Sequence, residues 1–178
     1  MKHFLITAVV IFSGHALSAQ KFFTKSGLVR FESKTPLENI EAVNRSVTTV
    51  LDRSSGALQF SLNIRGFEFQ KALMQEHFNE NYMESDKYPK ADFKGTIVQM
   101  PTTPGSYDVT AKGKLTIHGV SQEVSIPGKL VIDDNKFTLR SSFPVSPSDF
   151  KIEIPSLVRD KISKTLTVSV DCTLNPLK

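Results

Sequence analysis

Beyond the first twenty residues the chain holds two histidines, His77 and His118, and its single cysteine is Cys172. Metal sites need ligands in register, as in H-x-H or H-E-x-x-H, and neither spacing occurs. There is no G-x-S-x-G elbow and no glycine-rich phosphate loop. Asp133 and Asp134 are adjacent acids, but they fall in a turn sequence, where solvated carboxylates are ordinary. His118 lies between two alternating runs, in "TIHGVS", and reads as a solvated turn residue. His77 adjoins Phe78 in a segment of helical spacing. A titratable ring there could meet a ligand head group, or simply bond a backbone carbonyl at a helix end. Cys172 shares parity with Leu166, Val168 and Val170 and reads as a small buried hydrophobe. One cysteine allows no intramolecular disulfide. The residues thus offer no catalytic motif, and neither a metal nor a cofactor is expected.

The elements that would position these residues follow a period of two. In "ALQFSLNIRGF" Leu58, Phe60, Leu62 and Ile64 share one face, opposite Gln59, Ser61, Asn63 and Arg65. "SYDVTAKGKLTI", "VSQEVSIPGKLVI", "KFTLRSSF" and "TLTVSVDCTL" alternate in the same way. Such runs read as strands with one dry and one wet face. Sheets covered on both faces would show continuous apolar runs, so the sheet is expected to be antiparallel. His118-Gly119, Asp133-Asp134-Asn135 and Ser54-Ser55-Gly56 supply tight turns. One segment differs: in "KALMQEHFNENYM" (71–83) Met74, Phe78 and Tyr82 recur every four residues, which is helical spacing. It should end before Tyr88-Pro89. A short helical turn is expected after Pro155.

The expected fold is all-β: an antiparallel up-and-down barrel of eight strands, with one helix over about 71–83 inserted after the third. Closure removes the open edges that a flat sheet of such strands would leave. An eight-stranded interior is either filled by side chains or just wide enough for one small ligand. Gly95, Gly113 and Gly128 fall on the inward parity, where they either leave space or mark bends.

Residues 1–19, one lysine then an apolar run then small residues, have the layout of a secretory signal peptide. Cleavage is expected after Ala19, with Ser18 as the alternative, and residues 20–178 form one domain. The protein is therefore expected in the periplasm or outside the cell. The formal charge of +4 falls to +3 once Lys2 is removed. No basic run is dense enough for nucleic acid. A weak preference for anionic lipid surfaces fits the charge.

Three stretches carry a family resemblance: "LTIHGVSQEVSIPGKL" (115–130), "FEFQKALMQEHFNENYMESDKYPKADFKG" (67–95) and "FPVSPSDFKIEIP" (143–155). With them the chain resembles the YceI family of exported bacterial proteins, also called polyisoprenoid-binding-like, from about Phe31 to Leu174. The resemblance implies a lipocalin-like barrel with a long apolar pocket for an isoprenoid (quinone or polyprenyl phosphate) or a fatty amide. It implies no established enzymatic activity, and relatives are often homodimers. The sequence departs from commoner members at "SDFKIEIPSLVRDKISKTLTV" (148–168), where many have "DFGI" and a glycine-rich turn.

Taken together, these features predict an exported lipid-binding barrel in transient contact with membranes. Its pocket wall is expected to include Phe60, Leu62, Phe69, Met74, Phe78, Phe93, Ile117, Val124, Ile126, Phe143 and Phe150. His77, Arg140 and Asp149 are expected at its mouth. The alternatives are a structural or interaction barrel with a filled core and no ligand, and an enzyme acting on a bound lipid through His77 and Asp149.

Overall fold

Period-two runs separated by short turns pair with their sequence neighbours, and the computed structural model shows this for residues 21–133 and 135–177. Nine strands form: β1 (Lys21–Lys34), β2 (Asn39–Asp52), β3 (Ala57–Asn63), β4 (Glu68–Phe69), β5 (Lys90–Ile97), β6 (Gly105–Ile117), β7 (Val120–Asp133), β8 (Lys136–Val145) and β9 (Leu166–Pro176). All pairings are antiparallel, and β1 pairs with both β2 and β9, which closes the sheet. Eight strands are staves of the barrel. The ninth, two-residue β4, lies against β2 at Ala42–Val43.

The helical segment spans Ala72–Tyr82, close to the expected 71–83, but only its first half is α-helical. The α-helix α1 covers Ala72–His77, and a π-helical turn continues over Phe78–Tyr82. There the Met83 N–H reaches back to the Phe78 carbonyl at 2.9 Å, five residues away. Short 3-10 turns cover Pro147–Phe150 and Ser156–Lys161, the second as expected after Pro155. No helix among the described residues is long and apolar enough to cross a membrane. The expected signal peptide lies outside the described residues, as does Asp134.

The two ends of the barrel are built differently. At one end Phe22, Leu51, Leu130, Ile132, Phe137 and Leu174 pack into a dense core, with Phe22 edge-on to Phe137 at 4.3 Å. Phe137, Leu51, Leu130 and Leu174 are 0% exposed there. Side chains buried to that degree each stabilise the fold by about 1.5–3 kcal/mol. Cys172 belongs to this core, its Sγ accepting from the Thr49 hydroxyl at 3.4 Å. Burial pushes its thiol pKa up, against the Thr49 bond.

Gly95 and Gly113 face each other across β5 and β6. A Cβ on Gly113 would lie 2.4 Å from Gly95 Cα and against the Lys94 carbonyl. Neither expected reading, open space or a bend, describes this pair: the two glycines let the β5 and β6 backbones approach closely.

Candidate functional site

At the other end a smaller buried cluster of Val29, Phe31, Ala42, Val47 and Phe67 is surrounded by inward-facing apolar side chains that are only partly covered. Phe60, Leu62, Leu115, Ile117, Ile126, Phe143, Val168 and Val170 are all only half-buried. They are inside the barrel yet touch empty space. That space is a cavity of about 500 Å³, lined almost wholly by hydrocarbon. Apolar pockets of ~300–1,000 Å³ are the usual size for a small ligand.

Two segments cover the mouth. The first is the helical one. Met74, His77, Phe78 and Tyr82 line the cavity, so the four-residue spacing does aim one face inward. Phe78 stacks on Phe31 at 5.5 Å and meets Phe67 and Phe69 at 5.6 and 5.0 Å, fixing the helix to the rim. His77 is the last residue of α1, is exposed, and makes no hydrogen bond among the described residues.

The second cover is the excursion 146–165. Its ends are adjacent because Val145 and Leu166 are strand partners. Ile152, Ile154, Val158 and Ile162 from it face the cavity. Three bonds hang it on the rim. Gln122 Nε2 donates to the Asp149 carbonyl at 2.8 Å, and the Ser163 N–H donates to Ser33 Oγ at 2.8 Å. The third is made by His118.

His118 is therefore not the solvated turn residue that its position suggests. It does sit in the two-residue β6–β7 turn, with φ of 50° at His118 and 71° at Gly119. But its side chain is only 10% exposed. Nε2 is 2.8 Å from a Glu84 carboxylate oxygen and Nδ1 is 3.3 Å from the Phe150 carbonyl. The Tyr88 ring lies edge-on at 4.4 Å. Both polar partners are acceptors, placed to receive a hydrogen bond from the ring. A turn histidine thus ties the helical cover, the hairpin and the excursion together.

The wall itself is not continuous. β7 and β8 pair from Asp133–Lys136 to Gly128–Ser141, and pairing stops there. Ser141 Oγ donates to the Pro127 carbonyl at 2.6 Å as the last tie. Beyond it, Val120–Pro127 and Ser142–Val145 diverge toward the mouth. Pro127 and Pro144 stand on the two free edges, where a residue without an N–H is tolerated.

Of the expected wall residues, Phe60, Leu62, Phe69, Met74, Phe78, Phe93, Ile117, Ile126 and Phe143 line the cavity. Val124 is half-buried opposite Gly113 and packs on the same core as Phe60 and Ile126, but does not line the cavity. Phe150 is 3% exposed and lies under its own 3-10 turn, outside the cavity lining. Of the expected mouth residues His77 lines the cavity, whereas Asp149 is exposed and presents only its carbonyl, to Gln122. Arg140 is not at the mouth. It lies on the outward face of β8, bound to Asp171 at 2.9 Å, and borders the cavity only where β7 and β8 part. The cavity lining does not bring His77 and Asp149 together. Sequence reasoning missed Phe31, Phe67, Val158 and Ile162; the alternation Val29, Phe31, Ser33 was the available signal for the first. Among the described residues no three His, Cys, Asp or Glu side chains gather as a metal site would require.

The barrel is shared with solved structures. A polyisoprenoid binding domain from Saccharophagus degradans, implicated in plant cell wall breakdown, superposes with a TM-score of 0.77 at 11% identity, covering 90% of this chain and 100% of that one. BcnA from Burkholderia cenocepacia gives 0.69 at 17% identity, over 83% and 95%. The YceI protein of Campylobacter jejuni gives 0.60 at 16% identity, over the whole of both chains. A search of curated proteins gave no match. The model of the YceI-like domain matches residues 19–174, nearly the whole length, and the chain belongs to that family.

Proposed function

We propose that the protein is an exported carrier that holds one amphiphilic lipid in the open end of its barrel, without turning it over. The observation that carries this reading is the set of apolar side chains that face inward and stay half-buried around an empty cavity. Exposing that much hydrocarbon to a void or to water costs free energy that an apolar chain would recover, at about 0.8 kcal/mol per buried CH₂. An isoprenoid (quinone or polyprenyl phosphate) or a fatty amide suits a tube with few polar groups. The structural likeness to a polyisoprenoid binding domain supports the isoprenoid. His77 and the Lys71–Glu38 pair, 2.9 Å apart at the rim, suit a polar head group left near the mouth. Residues 1–19 would direct the chain out of the cytoplasm. The filled-barrel alternative describes the closed end only.

Retinol, a short isoprenoid whose fluorescence rises in apolar surroundings, tests the pocket. It is expected to bind near one per chain. Phe60→Trp with Ile126→Trp should abolish that binding while the protein remains folded. Unchanged binding in the double variant would refute the pocket assignment.

A further inference from the structure

Among the described residues the most exposed large apolar side chain belongs to the second cover. Leu157 is 92% exposed, on the 3-10 turn Ser156–Lys161. Its neighbour Val158 points the other way, into the cavity. One short turn therefore shows hydrocarbon to both sides. Burial in the fold explains Val158 and leaves Leu157 unexplained. The same stretch of chain carries Lys151, Arg159, Lys161 and Lys164 against Glu153 and Asp160, all exposed, with Lys161 at the cavity edge. None of these six charges forms an ion pair or side-chain hydrogen bond among the described residues, whereas many charges on the barrel staves are paired, as in Arg30–Glu41, Lys129–Asp108 and Arg140–Asp171.

Leu37, 66% exposed, lies in the turn just after Ser33, the residue that holds the excursion at Ser163. The opposite rim differs in charge. The helical cover carries Glu76 and Glu80, also without ion pairs among the described residues, and its Lys71 is already bound to Glu38. The two covers thus differ in charge, the excursion basic and the helical cover acidic, and Leu157 is the more exposed leucine beside Leu73 at 61% on α1.

We propose that the excursion 155–164 docks the mouth of the barrel on an anionic phospholipid bilayer, with Leu157 inserted at the headgroup level and Arg159, Lys161 and Lys164 on lipid phosphates. An exposed apolar tip flanked by unpaired cations matches an interface that is apolar within and negative at its surface. The acidic helical edge tilts away. The cavity lies directly behind the docked turn, so a lipid would pass between bilayer and barrel with little exposure to water. This inference rests on the carrier reading, because it supplies the step by which such a cavity is loaded.

The test is cosedimentation of the detergent-free protein with vesicles of phosphatidylcholine alone and of phosphatidylcholine mixed with phosphatidylglycerol. Binding is expected on the mixed vesicles and is expected to weaken as salt rises. Leu157→Asp should lower the partition coefficient at least tenfold. The triple variant Arg159→Gln, Lys161→Gln, Lys164→Gln should remove the preference for the anionic vesicles, at roughly fivefold per cation. Val98→Asp, an exposed apolar residue beyond β5 at the closed end, should change nothing. Parent-like binding by the Leu157 and triple variants overturns the proposal, and so does an equal loss in Val98→Asp. Retinol binding without vesicles separates the two readings. Leu157→Asp that keeps retinol but loses vesicles supports docking. A parent that docks through Leu157 but binds no retinol refutes the carrier and leaves the docking surface standing.

Discussion

The two ends of this barrel are made of the same residue types and differ in what the side chains meet. At the closed end Leu51, Leu130, Phe137 and Leu174 meet one another and are fully covered. At the open end Ile117, Ile126, Phe143 and Val168 point inward on the same alternation and meet empty space. The first arrangement stabilises the fold. The second forgoes that stabilisation, since a side chain facing a void loses its dispersion partners on that side. Apolar composition is therefore not itself a sign of a core. Coverage decides, and coverage separates the scaffold from the site.

Substitutions can break this comparison or sharpen it. Phe137→Ala at the closed end should cost about 3–5 kcal/mol in urea unfolding, because it leaves a cavity in dense packing. Cys172, in the same core, should then react faster with an alkylating reagent, as its coverage loosens. If Phe137→Ala cost no more than a truncation at the open end, the distinction between the ends would collapse.

His118 joins the covers to the barrel, so His118→Ala should be intermediate, at about 1–2 kcal/mol for two lost hydrogen bonds. Hydrogen exchange should quicken in 84–88 and 147–152 and stay unchanged around Phe137. A uniform change over the chain would contradict a local tie.

Ile126→Ala should cost only about 1 kcal/mol, since part of its burial is missing already. The same variant should weaken retinol binding, an effect with no counterpart at the closed end.

The smallest effect lies in a closed-end turn. Asp52 Oδ1 accepts from Ser54 Oγ at 2.6 Å and from the Ser54 and Ser55 N–H groups at 2.9 and 3.1 Å. The Ser54 hydroxyl, first, and the Ser55 N–H hold its pKa at about 2, below the usual carboxylate range. The folded value is depressed, so the carboxylate stabilises the fold above pH 4 and loses that effect as pH falls toward 2. Asp52→Asn should therefore be less stable than the parent at neutral pH and should converge on it in acid. A gap that persists in acid would show that the turn is held by something other than this carboxylate.

How much of this was legible depends on how regular each strand is. β3, β6, β7, β8 and β9 show clean alternation, and their faces were readable. β1 is interrupted by register shifts between Thr24 and Gly27 and between Gly27 and Val29, so its inward parity changes partway. In β2 the consecutive residues Ala42, Val43 and Asn44 are all buried, with Asn44 Nδ2 donating to the Asn63 carbonyl at 2.9 Å. A period-two reading has no place for such a run. The spacing of Met74, Phe78 and Tyr82 gave the inward face of the helical cover, though not its π-helical turn.

The partners of His118 come from residues 34 positions before it and 32 after it, which no local pattern reveals. The parting of β7 and β8 did leave a trace. Pro127 and Pro144 lie inside strand runs, and proline inside a run points to an edge. Phe150 and Val124 were placed in the wall because their types fit it. That Phe150 is buried at its 3-10 turn and that the cavity stops short of Val124 are tertiary facts.

The proposed function requires that the open end of the barrel be filled by a lipid. The most direct measurement is mass spectrometry of an organic extract from protein purified without detergent from its native source, beside a mock purification. The account predicts an isoprenoid or fatty amide at about one per chain, absent from the mock and lost in Phe60→Trp with Ile126→Trp. A clean extract from native protein would contradict it, and would leave the half-buried ring around the cavity without a function.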